Sequence, residues 1–347
     1  MKRSLSLLVV LLSIWALASC QEKSKQSAIL VPGSDSLPAN LKAINTKIAA
    51  EPGNPDLYIE RATICLDRQD GQQAFSDASK AITFRGGVSR YYVVFSDACL
   101  MMGKVKECRA ALETAVSLDK KSTEPLLKLA ELSLYFKDYS KVFDYTQQVQ
   151  ALDDNNAKAF FIRGFALKEK GDTVAAIKNF RQAVDADQKY FDAYIQLGLL
   201  HAAKRSKLSA DYYKTALTIK PKSIEAYYDL GIYYQENGAY NEAMDAYRAI
   251  IAIDSKYKHA YFNMGYIHMF YLRVYSEGAK YFTKAIDTDP NFAEAYYNRA
   301  YCRELMGDET NARLDYNKAM AIRPNYKLAM DGLNRLDHKA KMYGTPK

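Results

Sequence analysis

The sequence predicts an all-α chain, a solenoid of helix-turn-helix units stacked in register. Three observations carry this reading. Apolar residues recur at helical spacing, as at Tyr227, Leu230 and Tyr234 and again at Ala243, Tyr247 and Ile250. Asn237-Gly238 separates those two stretches, and glycine ends a helix by taking left-handed backbone without steric cost. The same pattern then returns about every 34 residues. Tyr58, Tyr92, Leu126, Phe160, Tyr194, Tyr227, Tyr261 and Tyr296 form a bulky column. Beside it runs a small one: Ala62, Ser96, Ala130, Gly164, Gly198, Gly231, Gly265 and Ala300. A single hairpin cannot bury both of its faces, so each unit needs neighbours.

The chain opens with a basic Met1-Lys2-Arg3 and an apolar run, Ser4–Ser19. The run is too short for a stable membrane span and reads as a signal peptide, residues 1–19. Leu17-Ala18-Ser19-Cys20 resembles a bacterial lipobox. That resemblance implies a diacylglyceryl group on the Cys20 sulfur, cleavage before Cys20 and acylation of the new amine. The alternative is an ordinary cleaved signal with a chance cysteine. Three chains would anchor stably, because each buried methylene contributes about 0.8 kcal/mol. Residues 20–37 are polar, with Pro32, Gly33, Ser34 and Ser36, and read as a flexible tether. Gln21 in place of Asp resembles lipoproteins passed on to an outer membrane. The Gln21-Glu22-Lys23 start lacks the acidic pair of some surface-exported groups, which leaves the periplasmic face as the expected location.

A lone helical half-unit occupies 38–53 and is closed by Pro52-Gly53. Asn54-Pro55 caps and opens the first full unit, since a proline at the first helical position loses no hydrogen bond. Eight units follow over 55–326: 55–88, 89–122, 123–156, 157–190, 191–223, 224–257, 258–292 and 293–326. A helix over Tyr326–Met342, with Lys339 and Lys341 towards solvent, caps the array within 327–347. Unit 123–156 is the most degenerate, with Val142 and Val149 where alanines are expected. The turn of 191–223 loses a residue. That of 258–292 gains one and becomes apolar, Met269 to Tyr275, either an extension of the helices or an exposed contact patch.

The units resemble the tetratricopeptide repeat. Counting from the start of each unit, the family expects a large residue at position 4, Leu at 7, Gly or Ala at 8, Tyr at 11, Ala at 20, an aromatic at 24, Ala at 27 and Pro at 32. In 224–257 these are Tyr227, Leu230, Gly231, Tyr234, Ala243, Tyr247, Ile250 and Ser255, with the last two departing. The resemblance implies a right-handed superhelix of helix pairs.

Cys65 and Cys99 fall at position 11, Cys108 at position 20, and Cys302 stands apart. Cys108 substitutes for alanine as a small hydrophobe. The reading is buried free thiols, with a Cys99–Cys108 disulfide as the alternative in an oxidising compartment. His201 and His268 occupy position 11, where the family packs Tyr, so a packing role is expected. Neither metal-ligand spacing nor a nucleophile elbow, zinc-protease motif or phosphate loop occurs, so no cofactor or metal and no enzyme is expected. The formal charge of +8 falls to about +6 without Lys2 and Arg3 and is spread along the helices. That pattern favours a solvated, mildly basic surface over a nucleic-acid footprint, and no nucleic acid is expected as a partner.

The family lines its groove with positions 2, 5, 9, 12 and 13 of the first helices. Here Phe161, Phe165, Tyr228, Phe262, Tyr266, Tyr297 and Tyr301 fall at positions 5 and 9, an aromatic set expected to bind a partner. Chaperone-tail readers of the family carry Lys at 5 and Asn at 9, which this chain lacks. The expectation is a non-catalytic adaptor, lipid-anchored in the bacterial envelope, that takes a protein or peptide of envelope machinery. Capture of a glycan or peptide in the same groove is the alternative.

Overall fold

The computed structural model describes residues 38–343. The leader, Cys20 and the tether lie outside the described residues, as do 344–347. Every described element is a helix. The chain divides into two compact units, with the boundary between Ala166 and Leu167.

The first unit begins with α1 (Ala39–Ala50). Three hairpins follow: α2 (Pro55–Asp67) with α3 (Gly71–Phe84), α4 (Ser89–Met101) with α5 (Val105–Leu118), and α6 (Glu124–Tyr135) with α7 (Tyr139–Leu152). Most of α8 (Ala157–Glu169) completes it. The second unit runs through α9 (Thr173–Ala186), α10 (Phe191–Ala202), α11 (Leu208–Ile219), α12 (Ile224–Glu236) and α13 (Tyr240–Ile253). It continues with α14 (Lys258–Tyr266), α15 (Tyr275–Thr288), α16 (Ala293–Leu305), α17 (Glu309–Ile322) and α18 (Lys327–Tyr343).

The turns share one backbone device. Gln69, Gly103, Lys137, Gly171, Arg205, Gly238 and Gly307 all take positive φ at position 15 of their repeats. This stops the first helix, at a cost of roughly 1 kcal/mol where the residue is not glycine. The next residue then starts the second helix. Asp70, Asp138, Asp172 and Asp308 each accept a hydrogen bond from the backbone N–H three residues on.

In repeat 258–292 the left-handed residue is Arg273, one place late. The extra residue is absorbed in a π-helical turn, Ile267–Tyr271, where the Leu272 N–H donates to the Ile267 carbonyl five residues back at 3.0 Å. The helix is thus extended, with Ile267 and Met269 buried, while Phe270, Leu272 and Val274 stay exposed. The extension of the helix is what the structure shows, with three apolar residues of the turn left at the surface.

The small column at position 8 is buried in every repeat. A Cβ on Gly198 would lie 2.4 Å from the Tyr213 ring, and one on Gly265 would lie 2.9 Å from that of Phe282. The slot opposite, position 20, is also buried throughout, and Ser209 there donates to the Gly198 carbonyl at 2.9 Å. Gly332 of α18 repeats the device against Tyr316, which seats the last helix.

The bulky column at position 4 differs from the expectation of a buried stripe. Tyr58, Leu126 and Phe160 are buried, but Tyr92, Tyr194, Tyr227, Tyr261 and Tyr296 are only half-buried, whereas Tyr91, Ala159, Ala193, Ala226, Ala260 and Ala295 at position 3 are fully enclosed. In two repeats the position-4 hydroxyl reaches a backbone carbonyl of the preceding turn. Tyr58 donates to Pro52 at 2.9 Å and Tyr261 to Ser255 at 3.3 Å.

Cys65, Cys99, Cys108 and Cys302 are free and buried. Burial pushes the Cys99 and Cys302 thiols up to about 12 and that of Cys108 to about 11, so they are inert packing groups. No described helix is long and apolar enough to cross a membrane.

Candidate binding surface

In the first unit, the Phe161 and Phe165 rings meet edge to face at 5.0 Å, with Phe165 buried and Phe161 half-buried. The second unit holds the other five aromatics, all half-buried.

Position 5 has a recurrent environment there. Tyr228 packs between Tyr247 and Tyr257 at 6.3 and 6.1 Å. Phe262 lies between Phe282 and Phe292 at 5.5 and 5.0 Å, and Tyr297 between Tyr316 and Tyr326 at 5.9 and 5.5 Å. In each repeat one ring comes from the second helix and the other from the end of the repeat. The position-5 ring is therefore a wedge that holds its hairpin to the next turn, with one side left to solvent.

In the second unit position 9 is packed differently. Tyr266 stacks on Phe270 at 5.3 Å, and Tyr301 stacks on Tyr297 at 6.4 Å with the Arg335 guanidinium 5.6 Å from its ring. Phe262, Tyr266 and Tyr301 gather round the buried Met269, Phe282 and Cys302, while Tyr228 packs on a separate cluster about Ala243, Tyr247 and Ile250. The structure thus joins some of the predicted set and leaves Tyr228 with its own repeat.

Sequence reasoning missed a polar row at position 6. Gln196, Asn263 and Asn298 are buried and Asp229 is half-buried. Asn298 donates to the Glu294 carbonyl at 2.8 Å, and Lys168 donates to Gln196 at 2.7 Å. Asp229 Oδ2 and Oε1 of the nearby Glu225 have no hydrogen-bond partner, while the Asn263 amide lies within hydrogen-bonding reach of the Tyr247 hydroxyl. Burial, reinforced by Glu225, pushes the Asp229 carboxyl up to about 7. The signal was present in the sequence, as a polar residue at one offset in four successive repeats.

The histidines behave as packing groups. His201 lies against Tyr212 at 5.2 Å and His268 stacks on Tyr281 at 5.3 Å, both with pKa lowered by burial. Among the described residues, no group of three or more His, Cys, Asp or Glu is placed to hold a metal ion.

Comparison with known proteins follows the geometry. Tetratricopeptide repeat models match residues 163–224, and residues 212–245 with 281–313. The DnaJ homolog subfamily C member 7 homolog of Dictyostelium discoideum is 23% identical over 217 residues, 61% of this chain and 36% of that protein. The human protein O-mannosyl-transferase TMTC3 is 25% identical over 218 residues, 57% of this chain and 24% of its own. The chain therefore spans about a quarter to a third of the length of these curated relatives. The crystal structure of the C-terminal part of a TPR repeat-containing protein from Cytophaga hutchinsonii matches with a TM-score of 0.50 at 19% identity. It covers 79% of this chain and 99% of that one, and shows the fold.

Proposed function

We propose that this chain, a member of the tetratricopeptide repeat family, is a non-catalytic interaction scaffold that binds a polypeptide along its first helices. The observation that carries this reading is the juxtaposition, on those helices, of half-buried aromatic rings with enclosed polar groups that lack partners. Half-wet tyrosine rings give a partner large contact area at low entropic cost.

The same proposal places the protein in the bacterial envelope, held by lipid on Cys20 and facing the periplasm, with a partner from envelope machinery. The lipobox-like Leu17-Ala18-Ser19-Cys20 behind a short apolar run supports it. Capture of a glycan is the competing reading, favoured by the stacked Tyr266–Phe270 and Tyr297–Tyr301 pairs, whose faces suit a sugar ring.

Purification of the full chain from detergent-solubilised membranes separates the two. A stoichiometric protein partner is expected. Saturable glycan binding without a protein partner would replace the scaffold by the capture reading.

A further inference from the structure

The backbone carbonyl at position 11 of a first helix holds the turn that follows. In repeat 224–257 the Ala239 N–H donates to the Tyr234 carbonyl at 2.9 Å. Two repeats place histidine at this position, and they are the two whose turns change length. The Lys204 and Ser206 N–H groups donate to the His201 carbonyl at 3.1 and 3.0 Å, and the Val274 N–H donates to that of His268 at 2.8 Å. Both turns pass through left-handed backbone at an arginine, Arg205 (φ 53°) and Arg273 (φ 57°), where only glycine is free of strain.

The two imidazoles share one environment. His201 lies against Tyr212 of α11 at 5.2 Å, and His268 stacks on Tyr281 of α15 at 5.3 Å. His201 is only 7% exposed, and neither its Nδ1 nor its Nε2 has a hydrogen-bond partner. His268 Nδ1 is enclosed in the same way. A neutral imidazole tolerates this enclosure against a phenol ring. An imidazolium carries two N–H donors and a charge, which ring nitrogens without acceptors cannot stabilise. The charged groups acting on His201 are both cations, Arg181 of α9 and Lys204 of the turn. Those acting on His268 are Glu277 of α15 and Arg248 of α13, while the Lys284 ammonium lies 5.5 Å from the Tyr281 ring.

The folded state therefore favours the neutral form of both histidines, whereas the unfolded chain takes up the proton near pH ~6.5. Stability contributed by these residues is complete above that pH and is lost as pH falls below it. The first unit has no histidine between residues 38 and 166. Other groups of the second unit titrate nearby. Asp229 and Glu225 of α12, both raised by burial, act in the opposite sense. His259 on α14 is lowered by burial and by Lys258, against Glu294 and Asp289, which favour its charge.

We propose that the His201–Tyr212 and His268–Tyr281 pairs are acid-released latches, each holding its hairpin turn closed while the imidazole is neutral. Protonation drives the ring out of its stack, the carbonyl that ties the turn moves with it, and the left-handed arginine relaxes. The second unit thereby loosens in mild acid at repeats 191–223 and 258–292, whatever its surface binds.

The test is hydrogen exchange of the full chain, read by mass spectrometry at about pH 7.5 and about pH 5.5 and corrected for the intrinsic rate. Exchange in α10–α11 and α14–α15 should rise several-fold in acid, with α2–α7 unchanged. The H201Q/H268Q variant keeps polar side chains that cannot take a charge. Its acid response should vanish in α10–α11, where His201 is the only histidine. No acid response there in the wild type, or one that persists in the variant, overturns the latch. Should the variant fail to fold, the wild-type map decides by itself, because an acid response spread evenly over α2–α18 also overturns it.

Discussion

Gly231 of α12 faces the ring of Tyr247 of α13 so closely that a Cβ would lie 2.6 Å from Cε1. Gly231→Ala therefore forces the ring or the helix to move, although alanine favours helix. A loss of about 1–3 kcal/mol is expected from the overpacking. Gly53 has open space around its Cβ direction, and Gly53→Ala should be nearly neutral. Ala243→Asp, which buries a carboxylate in the facing slot, should cost more than about 3 kcal/mol, while exposed Asn241→Asp should not. Thermal melts of the four variants check this register, and equal melts would contradict it.

Asp315 is the counter-ion for two cations. It accepts from Arg299 Nε and Nη2 at 2.8 Å each and from Arg303 Nη1 at 2.7 Å, and only 4% of it is exposed. Asp315→Ala strands two guanidinium groups and should cost about 3–5 kcal/mol. Denaturant unfolding measures this, and a shift below about 1 kcal/mol would mean that the network is solvated.

The Asp229 carboxyl sets a pH dependence of its own. Burial and Glu225 raise its folded pKa to about 7, against roughly 3.9 in the unfolded chain. Between these values the folded state holds a proton that the unfolded state has lost. Stability contributed by this group is therefore present at low pH and falls as pH rises towards 7. Asp229→Asn should raise stability at pH 8 by on the order of 1–2 kcal/mol, given partial exposure, and flatten the slope between about pH 4 and 7. Melts across that range read it directly. An unchanged slope in the variant would assign the pH dependence elsewhere.

The anchor is tested independently of the repeats. Cys20→Ala should abolish incorporation of labelled fatty acid and leave an uncleaved or soluble species. A variant that still labels and fractionates with membranes would remove the lipoprotein reading.

Most of the packing was legible because it repeats. Positions 8 and 20 hold small residues at fixed offsets, and the structure buries both columns. The tyrosines at position 4 misled, since a ring with a hydroxyl can serve the preceding turn as readily as the core. The π turn at Ile267–Tyr271 could not be read, because one inserted residue fits equally well in a loop or a helix. Asp229 and Asn263 were overlooked for a different reason. A polar residue on a helix resembles a solvated face, and only its recurrence at position 6 in four successive repeats distinguishes this row.

The scaffold claim is tested most directly by co-purifying the full chain with its partner, beside a Tyr266→Ala/Tyr301→Ala variant. These position-9 rings are half-buried and do not bridge a second helix to the end of the repeat as the position-5 rings do, so the variant should lose stability by less than it loses binding. The account predicts a stoichiometric protein partner on the wild type and a loss on the order of 2 kcal/mol or more in its affinity for the variant, with the cooperative melt retained. A partner held equally by both proteins, or a variant whose melt collapses, would contradict it.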